Sequence, residues 1–190
     1  MHVSPKELNA YPWYLRPFFW NQRRRYGKVL QPGLLWARLP IVFVPLALLY
    51  GAISRKKSKV PANLRSLVTV RVSQINWCAF CVDINSATLL KAGVSEEKVA
   101  ALAEWRGSAL FTSMEKAAIA FAEAMTIPGT NPEEMPIADL RTYLDDDAIV
   151  ELTAIIAFQN MSSKFNAALN VPPQGFCDLQ KSSGKQMAQS

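Results

Sequence analysis

The chain has 190 residues, half of them hydrophobic and 19% charged, with three cysteines and a formal net charge of +6. This length predicts one domain with an accessory arm, and the apolar content is enough for a sizeable core. Three cysteines exclude a disulfide-stapled scaffold, and the only histidine, His2, lies at the terminus, which argues against Ser-His-Asp and Cys-His catalytic groups. The first residues show no secretory signal, so we expect a cytoplasmic protein.

The charge is unevenly distributed along the chain. Residues 1–75 contain 13 Lys or Arg and one acidic residue, whereas residues 76–190 contain 8 Lys or Arg and 14 acidic residues. A basic half beside an acidic half is typical of self-association, or of contact with nucleic acid or an anionic membrane. We expect subunit contact, with arginines of the basic half meeting Asp145, Asp146 and Asp147 of a neighbour.

The N-terminal segment combines aromatic residues with arginines, as in Arg23-Arg24-Arg25, and prolines divide it into short pieces. Such a mixture can stack on nucleic-acid bases, but no nucleic-acid-binding module accompanies it. We therefore expect an arm that packs its rings and leaves its arginines in solvent. The apolar run 39–50 is shorter than the roughly 20 residues of a membrane span, and it predicts a buried helix that begins at Pro40.

Beyond residue 60 the apolar spacing is helical, and the β-branched segment 68–70 continues that period after Pro61. Capping residues mark the later elements. These are Asn76 before a helix over 77–91 and Gly93 after it, Ser95, a capping box of Thr112 and Glu115, and Asp145 before a long helix over 147–169, with a short helix over 137–143 between them. No convincing strand remains, so the fold is predicted to be all-α, with residues 177–190 as a disordered polar tail.

The chemistry-bearing stretch is Asn76-Trp77-Cys78-Ala79-Phe80-Cys81-Val82-Asp83, which contains a C-x-x-C pair. Two cysteines in the first turn of a helix lie on one face, close enough for a disulfide. The helix N-terminus lowers a thiol pKa, and the thiolate is the nucleophile. This pattern favours thiol–disulfide exchange, although two inert core cysteines remain an alternative.

A zinc site is disfavoured because a structural site needs four ligands and Cys177 is the only further cysteine. We predict neither a bound metal nor a bound cofactor. Cys177 is either a third redox thiol or a free thiol in a loose C-terminal loop, and we favour the loose loop. Asp83 lies two positions after Cys81 on the helix and is expected to face away from it.

Further motifs follow in a consistent order. They are Leu64-Arg65-Ser66-Leu67-Val68, the C-x-x-C stretch, Lys91-Ala92-Gly93, Trp105-Arg106, Glu115-Lys116-Ala117-Ala118, Glu123-Ala124-Met125-Thr126, Glu151-Leu152-Thr153 and residues 158–166. Over residues 60–175 the chain resembles the carboxymuconolactone decarboxylase superfamily, in its alkylhydroperoxidase D-like branch. The resemblance implies an alkylhydroperoxidase D-like helical bundle, here with an extra N-terminal helical arm, that assembles as trimers or hexamers.

The resemblance also implies thiol-dependent reduction of hydroperoxides. By analogy Cys81 attacks the peroxide, Cys78 resolves the sulfenic acid as a disulfide, and an external dithiol donor resets the pair. The peroxidase pattern has a glutamate and a histidine as proton relay, where this chain has Ser66 and Asn85, and neither replacement titrates near neutral pH. The thiolate would then depend on the helix N-terminus, with Lys164 nearby.

Two carboxylates are candidates to support the site. Glu115 could replace the lost acid, although its capping-box position explains it, and Glu151 could point either at the site or at its own helix terminus. The lactone decarboxylases of the superfamily use other acid–base residues, so decarboxylation is disfavoured.

The sequence thus predicts an arm over residues 1–60, a core over 61–176 and a tail over 177–190. The favoured function is a peroxidase or disulfide oxidoreductase of antioxidant defence, acting on a small hydroperoxide or a disulfide. The alternative is a non-catalytic helical oligomer or redox sensor that has lost the relay.

Overall fold

The computed structural model describes residues 1–55 and 57–177, so the predicted tail lies outside the described residues except for Cys177. All regular structure in the described ranges is helical, which confirms the all-α prediction. The α-helices are α1 (Arg16–Tyr26), α2 (Gln31–Trp36), α3 (Pro40–Ile53), α4 (Ala62–Ile75), α5 (Ala79–Lys91), α6 (Glu96–Ala100), α7 (Ser113–Ala124), α8 (Ile137–Arg141) and α9 (Asp146–Ala168). No helix in the described ranges is long and apolar enough to cross a membrane.

The chain divides into two compact units. The first contains residues 1–55 and 169–171, and its core consists of Tyr11, Leu15, Phe19, Ala37 and Phe43. The Tyr11 hydroxyl donates to the Leu34 carbonyl at 2.8 Å, which satisfies the one polar atom of that buried ring. Part of the aromatic set is therefore core, while the arginine triplet of α1 is exposed.

Helix α3 differs from its predicted environment. It begins at Pro40 as expected, but Phe43 is its only buried residue, and Ile41 and Leu48 are 86% and 71% exposed. The helix is apolar on all sides, and one unit of this size can cover only one of those sides. The prediction of a buried helix is thus wrong for the single chain.

The second unit is built around α4, which packs against α5, α7 and α9. The β-branched Val68 and Val70 are fully buried in this helix, so packing outweighs their local preference for strand. Four predicted end signals are confirmed. They are the Ser95 cap, the Thr112–Glu115 capping box, the Asp145 cap, and Gly93 at a φ of +86° after α5.

Candidate active site

The turn between α4 and α5 places the C-x-x-C pair. Helix α4 ends at Ile75, and α5 begins at Ala79 rather than at residue 77. Cys78 is the N-cap, and its sulfur accepts the backbone N–H of Cys81 at 3.2 Å. The predicted cap, Asn76, instead donates to Asn160 and Ser163 of α9, each at 2.8 Å. That prediction is wrong because the Asn76 side chain holds the turn against a distant helix.

Trp77 connects the two helices in an unusual conformation. Its φ is +54°, in the left-handed region that costs a bulky residue about 1–2 kcal/mol. Trp77 is 88% exposed, whereas the neighbouring Cys78 is buried. Backbone strain of this kind persists only where the surroundings hold it, and it clusters at functional sites.

The two cysteines form a disulfide with a Cα–Cα distance of 5.2 Å. Cys78 is 1% exposed and Cys81 is 3% exposed. The Cys81 sulfur accepts a hydrogen bond at 3.3 Å from the side-chain Nδ2 of Asn166 on α9. Each sulfur of the pair therefore has one N–H donor, from the backbone for Cys78 and from a side chain for Cys81.

The two relay positions are not joined to each other. Asn85 donates from Nδ2 to the Ser73 hydroxyl at 3.2 Å, and Gln159 donates to the same oxygen at 3.0 Å. The Ser73 hydroxyl in turn donates to the Thr69 carbonyl at 2.6 Å. Ser66 is half-buried, and its carbonyl accepts the Thr69 hydroxyl at 2.9 Å. Ser73, which the sequence analysis did not single out, is thus the partner of Asn85.

The two supporting carboxylates are engaged elsewhere. Both oxygens of Glu115 accept from Lys98 at 2.7 Å, and one also accepts the Thr112 N–H in the capping box. Glu151 accepts the backbone N–H of Lys59 at 3.1 Å. These contacts give both residues structural partners, and neither contact involves the cysteine pair.

Asp83 and Cys177 form an anchor that the sequence analysis missed. The buried Asp83 carboxylate accepts the backbone N–H groups of Gln174, Phe176 and Cys177 at 2.7–2.8 Å. Cys177 is buried with them, so the expectation of a loose loop is wrong. A buried carboxylate needs hydrogen-bond donors. An acidic residue on a helix that is predicted to be buried was therefore the signal in the sequence that could have indicated such an anchor.

With the geometry defined, the chain can be compared with known proteins. The model of the carboxymuconolactone decarboxylase family matches residues 44–124. The uncharacterized protein YnjA of Escherichia coli K12 is 39% identical over 172 residues, which cover 90% of this chain and 94% of that protein. The chain belongs to the carboxymuconolactone decarboxylase family. The uncharacterized protein YdfG of Bacillus subtilis 168 is 30% identical over 115 residues, covering 60% and 78% of the two chains.

Solved structures show the fold of this family member. The apo debrominase Bmp8 superimposes with a TM-score of 0.78 at 25% identity, covering 92% of both chains. A cysteine-to-alanine variant of Bmp8 in complex with 2,3,4-tribromopyrrole gives 0.79 at 23% identity, covering 97% of both. An uncharacterized peroxidase-related protein with an alkylhydroperoxidase AhpD core, from Ralstonia eutropha JMP134, gives a TM-score of 0.82 at 21% identity, covering 92% of this chain and 93% of that one. The predicted alkylhydroperoxidase D-like fold is confirmed.

In this member of the carboxymuconolactone decarboxylase family, α9 supplies a polar face that sequence reasoning left without a role. Gln159, Ser163 and Asn166 are all buried, and their spacing of four and three residues places them on one side of the helix. That spacing of amides and a hydroxyl within an apolar helix was a readable signal. Lys164 is exposed on the same helix, so the structure does not support it as a thiolate partner.

Proposed function

We propose that this protein is a thiol-dependent reductase of small hydroperoxides that cycles Cys78 and Cys81 between dithiol and disulfide, in an antioxidant role. The observation that carries the proposal is the pairing of these cysteines at the start of α5. The family membership supports the same chemistry. A cytoplasmic location and an external dithiol donor are part of the proposal.

Cys81 is the attacking residue in this proposal. Its thiolate attacks a peroxide oxygen, the oxygen–oxygen bond breaks, and the departing alkoxide takes a proton while Cys81 becomes a sulfenic acid. The Cys78 thiolate then attacks the Cys81 sulfur, the sulfur–oxygen bond breaks, and the hydroxide released takes a proton to become water. A dithiol donor reduces the resulting disulfide by exchange.

The hydrogen bonds around the pair support a thiolate but offer no acid. The helix N-terminus and the Asn166 amide both favour an anionic sulfur. The partners found for Cys81 and Asn85 are neutral amides and hydroxyls, which do not titrate near neutral pH. The departing alkoxide must then take its proton from water, so we expect slow turnover that rises with pH as the thiolate fraction grows.

The direct test is peroxide consumption with a panel of dithiol donors. We expect wild type to turn over, Cys81→Ser to fall to background, and Cys78→Ser without donor to consume about one peroxide per chain, because its sulfenic acid cannot be resolved. Cys177→Ser is the matched control and should behave as wild type. Undiminished turnover by Cys81→Ser would refute the assignment, and the absence of turnover in wild type with every donor would favour a redox sensor or helical oligomer.

A second candidate function is reductive dehalogenation, which the likeness to Bmp8 favours. In this reaction the carbon–bromine bond of an aryl bromide breaks as bromine passes to the Cys81 sulfur, and the ring carbon takes a proton from water. Cys78 then attacks the brominated sulfur, the disulfide forms, and bromide leaves. The second step needs no general acid because bromide is a stable anion, whereas the first step depends on water to protonate the ring carbon.

Release of bromide from brominated pyrroles with a dithiol donor tests this candidate. We expect bromide release that depends on both cysteines if dehalogenation is the function. Turnover of hydroperoxides without bromide release would exclude it and keep the first proposal.

We also propose that the protein is a homo-oligomer, as the family's trimers or hexamers imply, and that α3 supplies an interface. The helix has no charged residue, and Ile41, Val44 and Leu48 are exposed along one of its sides. A patch of this kind on a single chain marks an interaction surface. The acids predicted to meet a neighbour already bind cations in their own chain, Asp145 and Asp147 with Lys59 and Asp146 with Arg141, so apolar contact is the better supported mode.

The oligomer prediction is tested on that helix. The double change Ile41→Glu and Leu48→Glu should reduce the mass in solution to that of one chain, because two charges cannot be buried without partners. Val150→Glu, at an exposed apolar position of α9, is the matched control and should leave the mass unchanged. An unchanged mass for the double variant would exclude α3 as an interface.

A further inference from the structure

We propose that Asn166 is the hydrogen-bond donor that makes Cys81 the reactive thiolate of the pair. The inference deepens the proposed thiol chemistry and rests on it. Nδ2 of Asn166 lies 3.3 Å from the Cys81 sulfur, within hydrogen-bonding reach for that atom. Asn166 is 1% exposed and Cys81 is 3% exposed, so protein groups, rather than bulk water, have to solvate the sulfur.

The other atom of the same carboxamide gives a second, independent observation. Oδ1 of Asn166 is buried and has no hydrogen-bond partner within the described residues. A buried acceptor without a donor is unfavourable and calls for an explanation. A thiol S–H is such a donor, whereas the sulfur of a disulfide or a thiolate has no hydrogen to donate.

These two atoms allow Asn166 to serve both protonation states of Cys81. Nδ2 donates to the thiolate. Rotation of the side-chain carboxamide by about 180° would place Oδ1 where it can accept from the protonated thiol. A charge-assisted bond to the anion is the stronger of the two, so the net effect is to favour the thiolate. In the disulfide and in the thiolate the oxygen stays without a partner, and only the protonated thiol of reduced Cys81 supplies it with a donor.

The backbone position of Asn166 is held by contacts elsewhere on α9. Gln159 of the same helix donates to Ser73 of α4, and Ser163 accepts from Asn76 in the turn before the cysteines. The donor therefore approaches Cys81 from a helix that is hydrogen-bonded both to α4 and to the turn before the cysteines. Cys78 has no comparable side-chain donor in the described contacts, and it relies on the backbone N–H of Cys81.

Charged groups on the surrounding helices have other partners or face solvent. On α4 Arg71 binds Glu123, and on α6 Lys98 binds Glu115. The remaining charged residues are Arg65 of α4, Asp83 and Lys91 of α5, Glu96 and Glu97 of α6, and Asp146, Asp147, Glu151 and Lys164 of α9. Within the described residues, no hydrogen bond or ion pair joins these groups to the Cys81 sulfur. The Asn166 amide is therefore the side chain that acts on it directly.

The test is alkylation of the reduced pair by iodoacetamide over a range of pH, in a Cys177→Ser background, with each cysteine quantified by mass spectrometry. Asn166→Leu removes the donor and keeps the side-chain volume. We expect its Cys81 alkylation at neutral pH to fall about tenfold relative to Cys78, because a tenfold loss of thiolate corresponds to about one pKa unit. Asn166→Asp keeps the polar shape, and its negative charge should lower Cys81 alkylation at least as much.

Thr153→Val is the matched control, since it also replaces a polar group of α9 by an apolar one of the same size, at a hydroxyl that donates to the Ile149 carbonyl more than three helical turns from Asn166. It should leave the ratio of Cys81 to Cys78 alkylation unchanged. An unchanged ratio in either folded Asn166 variant, or an equal fall in the control, would overturn the inference. The assay uses no peroxide, so missing turnover with an altered ratio would contradict the proposed function and leave the role of Asn166 intact.

Discussion

The double change Ser66→Glu and Asn85→His is expected to raise hydroperoxide turnover about 10–1000-fold at neutral pH, because a well-positioned general acid–base group contributes about 10²–10⁴-fold and a newly introduced one is expected to supply part of that. A histidine at position 85 would lie one helical turn after Cys81, on the same side of α5. It could take the thiol proton and return it to the departing alkoxide. Neutral Asn85 cannot do this, because an amide does not titrate near neutral pH.

The hydrogen bonds around Asn85 determine what a histidine at this position can do by itself. Its amide now donates to Ser73, whose hydroxyl also accepts from Gln159. A new histidine would inherit Ser73 as a neutral partner, and the glutamate at position 66 is needed to orient and charge it. We therefore expect each single change to give less than the pair, and the rate of the double variant to depend on a group with a pKa near that of histidine.

The matched control is Ser66→Gln with Asn85→Gln, which adds similar bulk without a titratable group. It should show no gain in peroxide consumption. If the relay variant folds, keeps its mass in solution and gains nothing with any hydroperoxide, proton supply is not what limits the site. That result would favour an electrophile whose leaving group needs no proton, such as a disulfide.

Replacement of Glu123 by Gln is expected to lower the free energy of unfolding by about 3–5 kcal/mol, the usual cost of breaking a buried ion pair. The Glu123 carboxylate is buried and accepts from the Trp105 ring N–H at 2.9 Å and from Arg71 at 2.6 Å. Arg106 binds its second oxygen. The neutral amide would leave the largely buried Arg71 guanidinium without a counter-charge. Chemical denaturation measures the loss.

Acid should expose the same interaction in the wild-type protein. Burial raises the pKa of Glu123, but the hydrogen bonds from Trp105 and Arg71 and the Arg71 charge outweigh it and hold the pKa below its ordinary 4.5. A carboxyl whose pKa is lower in the folded state stabilises the fold above its unfolded pKa, and this stabilisation is lost as the pH falls through the folded value. Stability of wild type should thus decline below about pH 4.5.

The controls separate this residue from general acid effects. Glu133→Gln, at an exposed glutamate, should leave the free energy of unfolding within about 0.5 kcal/mol of wild type. Glu123→Gln should show a shallower decline in acid than wild type, because one contributing carboxylate is gone. An equal acid slope in both proteins would show that Glu123 is not a source of the pH dependence.

Local features of this protein could be predicted from the sequence because the interactions that cause them act within a few residues. The Thr112–Glu115 capping box, the Asp145 cap and the left-handed Gly93 depend on hydrogen bonds and backbone sterics within one helical turn. The C-x-x-C spacing belongs to the same class, since two cysteines three residues apart meet in any helical turn. Ordered motifs along the chain were enough for the family and the all-α fold.

Tertiary structure decided the partners of these groups. Asn76 resembled a helix cap, but its amide donates a hydrogen bond to α9, 84 residues further along the sequence. Cys78 is the N-cap of α5 instead. The donor to Cys81 comes from Asn166, and the donors to Asp83 come from residues more than 90 positions away. Such pairings depend on how helices pack and not on the spacing within one helix, so no local pattern could predict them. The exposed face of α3 has the same cause, because a helix that is apolar all round gives no indication of which side its own chain will cover.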